Sequence, residues 1–534
     1  MKVFDFLKRM RPGRPRPKAS DMTYAKRGDL SKSLQENIAA IRARLNQASD
    51  LYVRDISLGG KYARKAAVVY LRSMVDTIVL RESVVRPLTS EANKRFAKKN
   101  AFELLEEIRL ALPSTRGVEP EAHIKHLVDR LLDGKAAILV DGANQALIAG
   151  ADTHPARAFE KPTSEVAVMG PQIGFTESVE GNLSLIRTYI KSPDLTVEQM
   201  RIGRKSKTDV RMLYLRDIAP EEIVHEMRRR LLSIDADVIF DVGMIRNYIA
   251  ERPCSPFVIE RLTERPDTVA ASLNHGRIAV MVNGSPFVMT QPSQFFMLFE
   301  AAEDYYMNAL STTALRLTRV LAYLLSTLAT PIYVAVVTFH HELIPLPLLL
   351  NIAVTQEDVP FPLAVTAFLT EIVLDIVREA GVRLPQQFGP AVSIVGALVL
   401  GQAAIQAGFV PPGLVIVVMF ATIASFAIPR TEGAIAYRLV RFPLLLVASV
   451  LGFPGLMMAL LALVYHVASL KTLGVPYFSL FTPGNVRRLT RKLVLTPRGL
   501  QPNTRPLGYR NMVWQGPVPK PRDPKARSGQ GDAP

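Results

Sequence analysis

The stretch LPQQFGPAVSIVGALVLGQAAIQAGFVPPGLVIVVMFATIASFAIP, residues 384–429, contains no Asp, Glu, Lys or Arg and is interrupted only at Pro411-Pro412-Gly413. A helix needs about 20 predominantly apolar residues to cross the hydrocarbon core of a bilayer, so a run this long with a turn signal inside it reads as two spans joined tightly. Two further apolar runs flank it, at residues 320–339 and 442–470, the second broken only by His466 and by Gly452-Phe453-Pro454-Gly455. A buried core helix in a soluble protein can mimic one such run, but three in succession read as a membrane domain.

The rest of the chain is polar. Its 534 residues carry a formal net charge of +17 and one cysteine, Cys254, which excludes an internal disulfide framework. The positive charge is concentrated at the ends. Lys2, Lys8, Arg9, Arg11, Arg14, Arg16 and Lys18 crowd the start, and Arg487, Arg488, Arg491, Lys492, Arg498, Arg505 and Arg510 the tail. Basic flanks of a membrane block are expected to meet anionic lipid at the cytoplasmic face, and nucleic acid is not expected as a partner. The apolar core at residues 3–7 is short and includes Asp5, so no secretory signal is expected and the first 310 residues are expected on the cytoplasmic side.

Within that polar half one pattern occurs twice. Val68-Val69-Tyr70-Leu71-Arg72 and Met212-Leu213-Tyr214-Leu215-Arg216 read as strands closed by the same Tyr-Leu-Arg, each with a helical segment after it. The second of these helices is marked by Pro220, Glu221 and Glu222 at its start, by Ile223, Val224, Met227 and Leu231 on one face, and by Arg228 to Arg230 at its end. Further along, residues 134–142 match residues 276–284 and end on Asp141-Gly142 and Asn283-Gly284, the chemistry of a hairpin turn. Two tandem α/β subdomains follow from this spacing, roughly 50–155 and 205–300. An amphipathic opening helix precedes them, with Leu34, Ile38, Ile41 and Leu45 in register, and a helix around Val179, Leu183, Ile186 and Ile190 is expected to bridge them.

No residue pattern points to catalysis, a cofactor or a metal. Gly203-Arg204-Lys205-Ser206-Lys207-Thr208 lacks the Gly before Lys-Ser that a phosphate-binding loop needs, and a strand follows it. It reads as a solvated basic loop or one pairing with acids of a neighbouring subunit. His340-His341-Glu342 reads as a polar cap on a membrane helix, since adjacent histidines diverge and no second ligand cluster accompanies them.

The informative polar residues lie in residues 362–380. On a helix, Glu371, Asp375, Arg378 and Glu379 fall within a stripe about 100° wide, with Leu363, Val365, Leu369, Ile372, Val373, Ile376 and Val377 around it. Acids spaced in this way in a membrane domain need water, a partner charge or a pore, and repeated around an oligomer they would form rings of carboxylates. Thr370, Glu371, Asp375 and Glu379 are therefore pore-lining candidates. The other reading is an amphipathic helix in the interface with Asp375 pairing Arg378. Gly396, Gly401 and Ala404 offer a small-residue surface for close helix packing. Charge bias leaves four or five crossings open, and a re-entrant turn at residues 452–455 would reconcile the two, giving four to six membrane segments.

Several separated motifs are similar to those of one known family. These include Gly170-Pro171 with residues 182–187, Ile202-Gly203-Arg204-Lys205-Ser206-Lys207-Thr208, Thr263-Glu264-Arg265-Pro266-Asp267, Val282-Asn283-Gly284-Ser285-Pro286-Phe287, Val359-Pro360-Phe361-Pro362, residues 394–404, and Ala421-Thr422-Ile423-Ala424-Ser425-Phe426. Across residues 165–482 the chain resembles the A subunit of GerA-type spore germination receptors. The resemblance implies residence in the spore inner membrane and partnership with a permease-like B subunit and a lipoprotein C subunit. It further implies homo-oligomerisation into a cation channel that releases ions when germinant binds a partner subunit. A related accessory protein of the spore dipicolinate-release system shares many of these motifs, and a non-conducting membrane scaffold for germination signalling is the reading from another class.

The expected architecture is thus an α/β N-terminal region of two tandem subdomains followed by an all-α polytopic membrane domain. The divisions are a basic tail (1–30), a first subdomain with its opening helix (31–160), the bridging helix and second subdomain (161–310), a transmembrane domain (315–475) and a basic Pro-rich tail (476–534).

Overall fold

The repeated sequences build the same unit twice. A computed structural model describes residues 28–478 of the chain apart from 59–63, 90–95, 97–99, 113–116, 152–159, 166, 168, 258, 384–398 and 400. Both basic tails, Gly396 and the first part of the opening apolar run lie outside the described residues. The first unit contains α1 (Leu34–Arg44), β1 (Leu51–Leu58), β2 (Arg64–Leu71), α2 (Ala101–Ala111), β3 (Glu119–Glu121), α3 (Ile124–Leu132), β4 (Ala136–Val140) and β5 (Ala146–Ala149). The second contains α4 (Val179–Tyr189), β6 (Leu195–Ile202), β7 (Thr208–Leu215), α5 (Glu221–Leu232), α6 (Val242–Ile249), β8 (Arg261–Thr263), α7 (Pro266–Asn274), β9 (Ile278–Val282) and β10 (Val288–Gln291). Each sheet is antiparallel, in the orders β1-β2-β4-β5-β3 and β6-β7-β9-β10-β8.

Each sheet is covered by helices on both faces, which explains why β4 and β9 are unbroken apolar runs, buried at every position. In the first unit α1 and α3 place Ile41, Leu127 and Leu131 against Val69 and Leu139, while α2 places Leu104 and Ile108 against Val68 and Ile138 on the other face. In the second, α4 and α7 bring Leu183, Ile186 and Val269 onto Leu213 and Ala279, and α5 and α6 bring Ile223, Met227 and Ile245 onto Met212 and Val280.

Three expectations need adjusting. First, α4 is an integral cover helix of the second sheet, as α1 is of the first, although its Arg187 does reach across to the first unit. Second, the second sheet opens at Leu195, earlier than the pattern suggested, because β6 is an edge strand whose Glu198, Gln199 and Arg201 interrupt the apolar signal. Third, the hairpins close through residues 141–145 and 283–287, longer than a two-residue turn, yet Gly142 (φ 90°) and Gly284 (φ 95°) hold the left-handed positions that select glycine there.

After a pair of 3₁₀ turns come α8 (Ala309–Phe339), α9 (Leu346–Glu357), α10 (Leu363–Arg383), α11 (Pro412–Ser425) and α12 (Thr431–Ser469). Among the described residues two helices, Ala309–Phe339 and Glu432–Ser469, are long and apolar enough to cross a membrane. The foot of α8 is tied to the second unit, since Arg316 Nε and Arg319 Nη1 both donate to the buried Asp304 at 2.8 Å. At its other end Phe339 lies against Gly452, where α12 breaks with φ 62° and ψ −147°. Both ends of α12 return to the second unit. Tyr437 packs with Phe296 and Phe299, while Val467 and Leu470 pack with Phe257 and Ile259, and Ala448 and Leu456 share that cluster near the break. Hence α12 is a helical hairpin folded at Gly452. The short strands β11 (Lys471–Thr472) and β12 (Val475–Pro476) follow, and Thr472 Oγ1 donates to the Ile259 carbonyl.

Candidate functional site

The acidic stripe lies on α10, inside a cluster with α8, α11 and α12. Val334, Ala367, Leu414, Val418 and Leu445 form its fully buried floor. Glu371 has no solvent exposure. Its Oε1 accepts from Thr330 Oγ1 of α8 at 2.8 Å, and its Oε2 stands 2.7 Å from Arg441 Nη2 of α12. The same Arg441 nitrogen lies 3.5 Å from Asp375, whose side chain keeps 24% exposure. One guanidinium thus stands between two carboxylates a helical turn apart, which the i, i+4 spacing on α10 provides.

The remaining sequence candidates separate from this pair. Thr370 donates to the carbonyl of Thr366 at 2.7 Å, spending its hydroxyl on its own helix, and Glu379 is exposed. Arg378 does not pair with Asp375. It donates instead to Tyr437 OH at 2.6 Å and Ser425 Oγ at 3.2 Å, and covers the Phe426 ring at 5.4 Å. Gly401 faces α11, where a Cβ would meet Val415 at 3.5 Å, and Ala404 is half-buried.

Sequence reasoning missed Arg441 and Thr330 as members of the site. The available signal was an arginine in the apolar α12, buried at 1% exposure, which needs a counter-charge. Two prolines sit beside the site. Pro331 follows Thr330 and Pro443 lies two residues after Arg441, and each removes a backbone donor from its helix and weakens the ladder there. Chemically the arrangement can hold a carboxylate charged in an apolar setting, and can release it only if α10 and α12 part.

The other singled-out motifs are structural. Arg204 forks onto Asp235 at 2.6 and 2.7 Å and Lys205 reaches Asp237 at 2.9 Å, so the acids facing the basic loop belong to the same chain. His340 caps α8 and accepts from the Phe453 backbone at 3.3 Å. No group of three or more potential metal ligands occurs among the described residues.

Comparison with known proteins adds the following. Residues 39–506 match the family GerA, described as Bacillus/Clostridium GerA spore germination protein. Spore germination protein KA of Bacillus subtilis (strain 168) is 40% identical over 454 residues, covering 85% of this chain and 82% of that protein. The uncharacterized membrane protein YfkQ of the same organism is 34% identical over 457 residues, covering 85% of this chain and 87% of its own. The crystal structure of the N-terminal domain of the A subunit of the Bacillus megaterium spore germinant receptor GerK3 is similar at 31% identity. It covers 50% of this chain and 97% of that chain, with a TM-score of 0.40.

Proposed function

The chain belongs to the GerA family of spore germination proteins, and from that premise we propose that it is the membrane subunit of a nutrient-responsive germination receptor that oligomerises into a cation channel. The observation that carries this reading is Glu371, a carboxylate with no exposure, held by Arg441 and Thr330 deep in an apolar helix cluster with the half-open Asp375 beside it. A buried charge pair is costly to maintain for packing alone, and ion pathways are a common reason for one in a membrane. In the closed state Arg441 balances the charge of Glu371 and leaves Asp375 half-open. Opening separates α10 from α12 about the weak points at Pro331 and Pro443, and the freed carboxylates then line a path for cations.

Four to six membrane segments is the topology, and the ends of the described helices fit five of them. α8 leaves the α/β units and α10 returns toward them, because Glu371 meets Thr330 while Arg378 meets Tyr437 near the foot of α12. α11 begins beside Tyr333 and ends beside Arg378. The two arms of α12 make a further pair. With the α/β units in the cytoplasm, Arg316, Arg319, Arg378 and Arg430 all lie toward that side. The spore inner membrane is the location, a permease-like B subunit and a lipoprotein C subunit are the partners, and anionic lipid meets the basic tails. Exposed Ile372, Val373 and Ile376 on α10 and Ile416, Phe420 and Ile423 on α11 give apolar faces for lipid or a neighbouring subunit.

Neutralisation of Glu371 within its own subunit favours a second reading, a membrane scaffold that conducts nothing. Potassium efflux from vesicles containing the purified chain, alone and with its permease-like partner, separates the two. Flux that falls at least about tenfold in Glu371→Gln/Asp375→Asn, with assembly retained, supports the channel. Assembled wild type without flux in either setting leaves the scaffold.

A further inference from the structure

A second set of buried charges lies where the second α/β unit meets the helices. Arg261 on β8 is 3% exposed, and its Nε and Nη1 meet no hydrogen-bond partner among the described residues. Its register partner on β10 is Thr290, fully buried, whose Oγ1 is likewise without a partner. Paired residues of an antiparallel ladder share one face of the sheet, so the two side chains leave it on the same side. Arg430, 5% exposed and with Nε unsatisfied, is the N-cap of the long helix α12 and lies within electrostatic range of Arg261. The positive end of α12, with its first backbone N–H groups, begins at Arg430. Buried Arg277 and Arg261 both act on Tyr305, which adds another cation to the neighbourhood.

A guanidinium does not deprotonate in proteins, so two of them buried with unmet donors are costly unless something anionic completes them. Glu165, Glu300 and Glu432 lie within range of Arg430, yet none of them bonds the unmet nitrogens. Planar forks of N–H donors with an adjacent hydroxyl and a helix N-terminus suit tetrahedral oxyanions.

We propose that Arg261, Thr290 and Arg430 form a binding site for a phosphate-class anion at the junction between the second α/β unit and α12. The anion bridges β8, β10 and α12, coupling the sheet to the helix that carries Arg441. A free phosphate and the headgroup of an acidic phospholipid share this chemistry. The lipid source rests on reading α8 and α12 as membrane helices, and the free-anion source does not.

The test uses the full chain purified in detergent, with apparent unfolding temperature as the readout. Inorganic phosphate, or phosphatidylglycerol in mixed micelles, is expected to raise it by a few degrees where chloride or phosphatidylcholine at matched ionic strength does not. Arg261→Gln and Arg430→Gln are each expected to weaken half-saturation by roughly ten- to a hundred-fold, and Thr290→Val by less. The exposed-loop control Arg204→Gln is expected to leave it unchanged. A response to phosphatidylglycerol alone assigns the lipid headgroup, and a response to phosphate assigns the free anion. Should the variants not fold, broadening of the phosphorus resonance of phosphate by wild type, competed by sulfate and not by chloride, is the deciding measurement. The absence of any shift and any broadening in wild type, or a response undiminished in folded Arg261→Gln, overturns the site. Alkaline extraction from membranes tests the helix reading separately, so its failure leaves the phosphate arm standing.

Discussion

Asp50 is 2% exposed and receives the Nε and Nη2 of Arg187 at 2.6 and 2.8 Å, with Ser73 Oγ at 2.8 Å, so a bidentate ion pair joins the first α/β unit to α4 of the second. Burial alone would raise its carboxyl, but the Arg187 charge and the hydrogen bonds from Arg187 and Ser73 more than offset that and hold it below its ordinary value of 3.8. The sign follows. This stability is present above the unfolded value and is lost as pH falls through the lower folded value. Asp50→Asn strands a buried arginine and is expected to cost about 3–5 kcal/mol. The cost should read out in denaturant unfolding at pH 7 and shrink in acid. Glu260 behaves in the opposite way. Burial, only partly opposed by Arg246, pushes its carboxyl up to about 7, so stability is lost as pH rises from the usual glutamate range to about 7. Glu260→Gln is expected to remove that slope and to gain on the order of 2 kcal/mol at pH 8, seen by comparing unfolding midpoints at pH 5 and pH 8.

At the scale of elements, the break in α12 decides how the C-terminal chain runs. Gly452 occupies a φ/ψ combination essentially closed to residues with a Cβ, and an added Cβ would stand 3.0 Å from Phe339. Gly452→Val is expected to cost about 1–3 kcal/mol in backbone strain alone and to open the hairpin. The check is a lower thermal midpoint together with new protease sensitivity near residue 470. The Gly452-Phe453-Pro454-Gly455 break was legible in sequence because glycine and proline punctuate a helix. That the chain turns back there, instead of merely kinking, needed the packing of Leu470 on Ile259. The cover helices were legible in the same way, since Ile223, Val224, Met227 and Leu231 are the face α5 buries. β6 was not, because as an edge strand it shows alternating polar residues to solvent.

For the whole molecule, the hairpin in α12 brings the segment after it back to the α/β side. Leu473 and Val475 join the core beneath α5 and α6, and the Tyr477 carbonyl accepts from Phe295. His341 follows α8 at its end remote from the α/β units. In a Cys254→Ser background, Lys471→Cys is expected to react with membrane-impermeant maleimide only from the face carrying the α/β units, and His341→Cys only from the opposite face. Labelling of both from one face would refute the hairpin topology. Apolar run length, helical and strand period and turn chemistry are properties of neighbours along the chain. They determined the two α/β units, the apolar helices and the acidic stripe on α10. Which charges meet depends on how helices distant in sequence pack, and no local period carries that information. Only the tertiary structure decided that Arg441 and Thr330 close over Glu371, that Arg378 turns away to Tyr437, and that Arg261 and Arg430, within electrostatic range of each other, keep guanidinium nitrogens without hydrogen-bond partners among the described residues.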